Sequence, residues 1–243
     1  SYSRLSAGRE AEVLTEPSER VDVAAPESED FDSIFTFPRG PIAGTCLHLL
    51  LERLDYGRPP KEQPELFSQT LEQFGIDLRW QTALTRWLDD LLTVPLPGTC
   101  ALGQIAGQDR LNELDFLFPL ERLDLSRFNA VLAEAGGRPL SVSGGTLHGL
   151  MKGFVDLVFR RAGRYYIVDY KSNYLGPDPG HYGPQALADS MDSHQYHLQA
   201  LIYTLALHRF LGARMPGYHY DDHFGGVYYL FLRAMHPAFP PGT

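Results

Sequence analysis

The feature that most constrains the fold of this chain is a pair of apolar, β-prone runs separated by a short turn. The runs are GFVDLVF (153–159) and YYIVDYK (165–171), with a glycine-containing turn between them. Two such runs in succession predict an antiparallel β-hairpin. Because side chains alternate along a strand, Asp169 and Lys171 should share one face of the hairpin, while Tyr170 points the other way.

Charged side chains on this hairpin indicate a functional site. Asp156 lies on the first run and can reach the face that carries Asp169 and Lys171, because a hairpin brings its strands side by side. Two carboxylates at one point need a cation, and a hard divalent metal is the simplest one. Lys171 beside such a metal would meet an anionic substrate, which predicts phosphodiester chemistry.

A structural role for these charges is the alternative. Strand-end acids paired with a lysine across a hairpin would contribute less than about 1 kcal/mol at a surface. However, Asp169 follows the run YYIV, which predicts a buried central strand. An unpaired carboxylate there is strongly destabilising, so it needs a partner or a metal. The surroundings of Asp169 therefore favour the functional interpretation.

Composition limits the class of protein. The 243 residues, 44% of them hydrophobic, are enough for one large domain or a domain with an appendage. Cys46 and Cys100 are too few for a disulfide framework or a four-cysteine zinc or iron–sulfur site, so we expect a cytoplasmic, reduced protein. The sequence has neither an apolar run of 18 residues nor a leader, which predicts no membrane partner. Because it begins at Ser1 without methionine, we interpret it as a piece of a larger protein.

The formal charge of −9 is unevenly distributed. Residues 1–33 carry nine acids and three arginines, and we predict that they form a flexible acidic tether. Residues 34–243, the predicted domain, are closer to neutral. Any contact with a nucleic-acid backbone must therefore be local, or be made by other parts of an assembly.

Periodicity predicts helices first and interleaved strands and helices afterwards, which is typical of a mixed α/β domain. The predicted helices span 42–54, 65–74, 78–92, 125–135 and 185–211. Besides the hairpin, the predicted strands span 100–105, 111–118 and 226–232.

The pattern Asp156…Asp169-Tyr170-Lys171 resembles the core of the PD-(D/E)xK nucleases. Three longer runs occur in order: GFVDLVF…GRYYIVDYKSNYLG, HLQALIYTLALHRFL and HFGGVYYLFLR. They resemble the C-terminal nuclease domain of the RecB family, most strongly over residues 149–235 and more weakly back to about residue 35. The resemblance implies an α/β fold with a PD-(D/E)xK, restriction-endonuclease-like core: a mixed β-sheet flanked by helices, with a helical N-terminal layer.

The resemblance also implies roles for residues outside the hairpin. His48 in the run GTCLH matches a family metal ligand and would join Asp156 and Asp169, although a lone histidine on an apolar helix is usually a core residue. Gln199 and Tyr203, four residues apart on one helical face, match the family's QxxxY pair beside the metal. Without the resemblance, a surface glutamine near a half-buried tyrosine is the preferred interpretation of that pair.

Tyr170 would contribute its backbone carbonyl group to the metal. Glu113 matches an acidic position near the metal, and a solvated strand face explains it equally well. The expected ion is Mg²⁺, with Mn²⁺ or Ca²⁺ able to substitute in binding; imidazole suits Mn²⁺ better than Mg²⁺. Six basic residues are candidate phosphate contacts, although for any one of them an ordinary surface charge is the preferred interpretation: Lys152, Arg160, Arg161, Arg164, Arg209 and Arg233.

Together with these residues, the resemblance implies a Mg²⁺-dependent deoxyribonuclease of the exodeoxyribonuclease V type, which hydrolyses DNA exo- and endonucleolytically. The predicted catalytic residues are Asp156, Asp169, Lys171, Gln199 and Tyr203. The resemblance implies double-strand-break repair and recombination within a RecBCD-type helicase–nuclease. The implied partners are DNA, mainly single-stranded, RecC- and RecD-like subunits, and the recombinase RecA. No GxxxxGK[ST] motif occurs, so ATP-driven unwinding would belong to another part of a larger protein.

Two other functions stay open. One is a docking module for recombinase loading, in which cleavage is minor. The other is an inert nuclease-fold scaffold that guides DNA. The joint presence of Asp156, Asp169 and Lys171 argues against the scaffold.

Overall fold

A computed structural model of the chain describes residues 4–6, 30–140 and 145–237. In this part of the chain a five-stranded mixed β-sheet lies between an N-terminal helical layer and a long C-terminal helix, which confirms the predicted fold class. The strands are β1 (Arg4–Ser6), β2 (Arg110–Asp124), β3 (Thr146–Arg161), β4 (Arg164–Lys171) and β5 (Phe224–Phe231). The helices are α1 (Pro41–Arg53), α2 (Pro64–Gln73), α3 (Gln81–Thr93), α4 (Leu125–Glu134), α5 (Pro184–Ser193), α6 (Tyr196–Arg214) and the single turn α7 (Tyr220–His223).

Strand β3 organises the sheet. β2 pairs with it antiparallel along one edge, whereas β4 and β1 pair with opposite ends of its other edge. β5 then adds to β4 in parallel. The β3–β4 ladder ends at the pair Leu157 and Val168, and the two strands separate beyond it. We call this point the fork; Asp156 and Asp169 lie next to the last pair, on β3 and β4 respectively.

The turn between β3 and β4 confirms the predicted hairpin. Ala162 and Gly163 connect the paired residues Arg161 and Arg164. Both turn residues have positive φ, 49° and 79°. This combination is typical of a type I′ turn, whose twist matches that of the strands it joins.

Alternation along β4 separates two hydrophobic cores. Tyr166, Val168 and Tyr170 pack against the helical layer formed by α1–α3. Ile167 lies on the other face, in a core that includes residues of α6. Lys171 also points towards α6, so the predicted opposite orientation of Tyr170 and Lys171 is confirmed.

The predicted strand at 100–105 is wrong. A 3₁₀ turn, Leu102–Gln104, occupies most of it, and only an isolated bridge joins Ala101 to Pro95. Gly103 allows this segment to lie against the end of α3, since a Cβ there would lie 3.0 Å from the backbone oxygen of Leu92. The apolar residues of the segment therefore pack into the helical layer rather than into the sheet.

The single predicted helix at 185–211 is also wrong, since two helices cover it. α5 ends before His194, and Gln195 adopts a left-handed conformation with φ 55° before α6 begins. A residue with positive φ interrupts helical geometry and lets α6 start in a new direction.

The other predicted elements occur with shifted ends, and β2 extends beyond its predicted C-terminal end at residue 118. Most of the predicted tether at 1–33 lies outside the described residues, although Arg4–Ser6 forms β1. No helix in the described part of the chain combines the length and apolarity that crossing a bilayer requires.

Candidate active site

Helix α1 brings His48 to the fork. Gly44 lies one turn before His48 on the same helical face. A Cβ at Gly44 would lie 2.7 Å from the hydroxyl oxygen of Ser172, so glycine allows α1 to lie directly against the segment after Lys171. His48 Nδ1 then lies 3.4 Å from Asp156 Oδ1.

The carboxylate of Asp156 bridges the fork. Its Oδ2 accepts a hydrogen bond of 2.7 Å from the backbone N–H of Tyr170 on β4. Burial alone would raise the pKa of Asp156, but His48 and the Tyr170 N–H stabilise the carboxylate, and its pKa is lowered. Burial alone would lower the pKa of His48, but the Asp156 carboxylate outweighs it, and the pKa of His48 is raised. The two side chains therefore favour an ion pair.

On the α6 side of the fork, Asp169 and Lys171 form a buried ion pair. Asp169 is 0% and Lys171 4% exposed, and Lys171 Nζ lies 2.7 Å from Asp169 Oδ2. The structure thus confirms that these two side chains share one face. Such a pair is stable only if further hydrogen bonds compensate for the loss of water.

Gln199 supplies one of these hydrogen bonds. Its Oε1 accepts from Lys171 Nζ at 2.9 Å, and its Nε2 donates to the hydroxyl group of Tyr203 at 2.9 Å. Gln199 is 9% and Tyr203 0% exposed. The alternative of a surface glutamine is therefore wrong, and the QxxxY pair lies directly beside the acid–lysine pair.

Tyr170 contacts the site through its backbone, while its ring packs in the helical layer. Its hydroxyl group lies 2.9 Å from that of Tyr56. Because Tyr56 donates its proton to the backbone oxygen of Leu51, Tyr170 is the donor between the two hydroxyl groups. Burial raises the pKa of Tyr170 well above its usual value. A metal contact by the Tyr170 carbonyl group remains a prediction.

Two further carboxyl groups lie at the site. Glu113 lies on β2 between Asn112 and Leu114, which pair with Leu157 and Val155 on either side of Asp156, and it has a left-handed φ of 52°. Glu52 of α1 lies close to it, and burial together with the neighbouring Glu113 carboxyl group raises the pKa of Glu52. The sequence interpretation missed Glu52, although its position one turn after His48 was a usable signal.

Arg233 is not a phosphate contact, contrary to the prediction. It is 2% exposed and donates hydrogen bonds to backbone carbonyl groups, including those of Pro38 (2.8 Å) and Ser172 (3.4 Å). It thereby ties the segment before α1 to the segment after β4. Arg160, another candidate, instead forms a surface ion pair with Asp109 at 2.6 Å.

The donor chemistry at the fork fits a divalent metal ion. Two buried or nearly buried carboxylates and one imidazole are suitable ligands for Mg²⁺ or Mn²⁺. Among the described residues, no three His, Cys, Asp or Glu side chains already surround a common point. His48 engages Asp156 and Lys171 engages Asp169, so binding of an ion would replace or share these two contacts.

A mixed sheet that presents two aspartates and a lysine from neighbouring strands is the arrangement expected of a PD-(D/E)xK core. Comparison with protein families agrees: the model of the PD-(D/E)XK nuclease superfamily matches residues 19–238. The chain belongs to this superfamily.

Three relatives at the sequence level carry the name RecBCD enzyme subunit RecB. The chain is 42% identical to that of Escherichia coli (strain K12) over 211 residues, which are 84% of this chain and 18% of the relative. For Haemophilus influenzae the identity is 37% over 213 residues, 86% of this chain and 17% of the relative. For Mycobacterium tuberculosis (strain H37Rv) it is 35% over 289 aligned residues, 100% of this chain and 26% of the relative. The chain thus spans only between 17% and 26% of these relatives.

Proposed function

We propose that this chain is a Mg²⁺-dependent deoxyribonuclease, the nuclease part of a RecBCD-type helicase–nuclease that acts in double-strand-break repair and recombination. The observation that carries the proposal is the convergence at the fork of Asp156, Asp169 and Lys171 from two strands with His48 from α1. Membership of the nuclease superfamily and the name of its relatives support it.

In this mechanism Asp156, Asp169, His48 and the carbonyl group of Tyr170 would hold the ion. When bound there, Mg²⁺ would lower the pKa of a water molecule and neutralise charge on the scissile phosphate. Lys171, 2.7 Å from Asp169, orients the attacking water or stabilises the negative charge that gathers on the phosphate.

Gln199 and Tyr203 position Lys171 rather than contact the phosphate. Gln199 accepts from Lys171 Nζ, and Tyr203 accepts from the amide of Gln199, which fixes which end of the amide faces the lysine. This orientation is necessary because a flipped amide would present a donor to an ammonium group that has no acceptor.

Single-stranded DNA is the proposed main substrate. The chain carries a formal charge of −9, and Lys171, the lysine of its site, is buried. The chain therefore does not resemble a protein that wraps DNA with a broad basic surface. A strand delivered by a motor needs no such surface. RecC- and RecD-like subunits and the recombinase RecA are the proposed partners, the first two in keeping with the relatives' name.

Nicking of circular single-stranded DNA by the purified chain tests the proposal. Cleavage should require Mg²⁺ and disappear in Asp156→Ala and Asp169→Ala, and Lys171→Ala should reduce the rate by about 10²–10³. Asp77→Ala is a matched control, because Asp77 is an exposed carboxylate that pairs with Arg79 in the helical layer.

Persistent cleavage in EDTA or in Asp169→Ala would refute the proposed chemistry. DNA binding without cleavage by the wild type would support the inert scaffold instead. A cellular role that survives Asp169→Ala, with cleavage lost, would support the recombinase-docking module.

A further inference from the structure

Two tyrosines surround the ammonium group of Lys171. Lys171 Nζ lies 3.8 Å from the ring centroid of Tyr196 and 5.4 Å from that of Tyr229. Both distances lie within the range of a cation–π interaction, about 6 Å. Lys171 is 4% and Tyr196 3% exposed, so water hardly competes for this contact. Shielding of this kind makes a cation–π interaction stronger.

Hydrogen bonds hold both rings in place. The rings of Tyr196 and Tyr229 stack with centroids 5.5 Å apart and planes 17° apart. Tyr196 donates its hydroxyl proton to Asn173 Oδ1 at 3.1 Å. The hydroxyl group of Tyr229 lies 2.9 Å from the backbone oxygen of Tyr196 and 3.1 Å from Gln199 Oε1. The same amide oxygen that accepts from Lys171 thus connects the lysine to the aromatic pair.

The position of Tyr196 on α6 explains how one helix supplies both contacts. Tyr196 is the first residue of α6 and precedes Gln199 by three residues, so the two side chains share a helical face. The break at Gln195 places this first turn beside the fork. In an uninterrupted helix over 185–211, Tyr196 would lie in the middle of the helix rather than in its first turn.

We propose that Tyr196 is a positioning residue. The face of the Tyr196 ring holds the ammonium group of Lys171 at a fixed position beside the fork. This inference rests on the proposed nuclease function and extends it beyond the acid–lysine pattern and the QxxxY pair. Lysine has a long flexible stem, so its charge stays at one point only if several partners hold it. Asp169 would be shared between Lys171 and a bound ion, whereas the Tyr196 ring does not compete for that ion.

The small number of lysines makes a direct test possible. The chain contains only Lys61, Lys152 and Lys171. In protein labelled with ¹³C-lysine, the Lys171 ε-methylene signal is assigned with Lys171→Arg. It should be shifted upfield by the ring current of Tyr196 in the metal-free protein. Tyr196→Phe should keep this shift and Tyr196→Leu should lose it.

Cleavage rates provide the second measurement. Under single-turnover conditions with saturating Mg²⁺ and single-stranded DNA, Tyr196→Leu should lower the rate by about 30-fold, as expected for a cation–π contact shielded from water. Tyr196→Phe retains the ring and should restore the rate to within about threefold of the wild type. Phe231→Leu is the packing control, because the Phe231 ring packs on Tyr196, with centroids 6.5 Å apart.

An unchanged Lys171 signal or a wild-type cleavage rate in Tyr196→Leu would overturn the inference. So would an equal loss of rate in Phe231→Leu, since ordinary packing would then explain both variants. If the wild type itself shows no Mg²⁺-dependent cleavage, the proposed function fails, and the Lys171 signal still decides whether Tyr196 positions the lysine.

Discussion

Replacement of Asp169 by asparagine tests how the buried ion pair at the fork contributes to stability. Asp169 and Lys171 are almost inaccessible to solvent and lie 2.7 Å apart. Removal of one partner from a buried pair typically destabilises a protein by about 3–5 kcal/mol, because the other charge stays buried. Lys171 keeps the amide oxygen of Gln199 and the ring of Tyr196. We therefore expect the lower end of that range for Asp169→Asn.

A double variant separates the effect of charge from the effect of shape. Asp169→Asn combined with Lys171→Met removes both charges at similar volume, so that no uncompensated charge stays buried. We expect the double variant to lie within about 1 kcal/mol of the wild type, which gives a coupling energy of at least about 2 kcal/mol.

Urea unfolding in EDTA, followed by the fluorescence of Trp80 and Trp87, measures this cycle. Both indoles lie in the core of the helical layer and report on its unfolding. If the double variant were as unstable as the sum of the single variants, the stability of the fork would not depend on charge pairing.

Two further predictions concern stability. Ala162 has a φ of 49° in the type I′ turn, so Ala162→Asn should stabilise the protein by about 0.5–1 kcal/mol and raise its Tm by about 1–4 °C. Burial, partly offset by the hydrogen bond with Tyr170, raises the pKa of Tyr56 to about 12. The folded protein therefore holds this proton more tightly than the unfolded chain does. The contribution of Tyr56 to the free energy of unfolding is complete below pH 10 and should decline between about pH 10 and 12, by about 3 kcal/mol in total.

Thermal unfolding monitored by circular dichroism checks the turn variant, and an unchanged or lower Tm would contradict strain at Ala162. Urea midpoints measured across the alkaline range check the tyrosine prediction. Tyr56→Phe is its control, since this variant should lose the part of the decline that Tyr56 causes. An identical decline in wild type and variant would show that other groups control alkaline unfolding.

Much of the fold follows from local sequence because its signals are short-range. Alternation in the runs at 153–159 and 165–171 predicted the hairpin, and the opposite faces of Tyr170 and Lys171 followed from strand geometry. Local signals failed where a tertiary contact overrides them. The apparent strand at 100–105 packs against the end of α3 as a 3₁₀ segment, and Gln195 interrupts an apparently continuous helix.

The identity of the reactive groups is a property of the sequence, because carboxylate, ammonium and imidazole chemistry does not depend on the fold. Their arrangement depends on contacts between residues far apart in the chain. Only the tertiary structure shows that β3 and β4 separate at Asp156, that Glu52 lies beside Glu113, and that Tyr196 covers Lys171. These contacts arise from the packing of α1 and α6 on opposite faces of one sheet, which no local periodicity encodes.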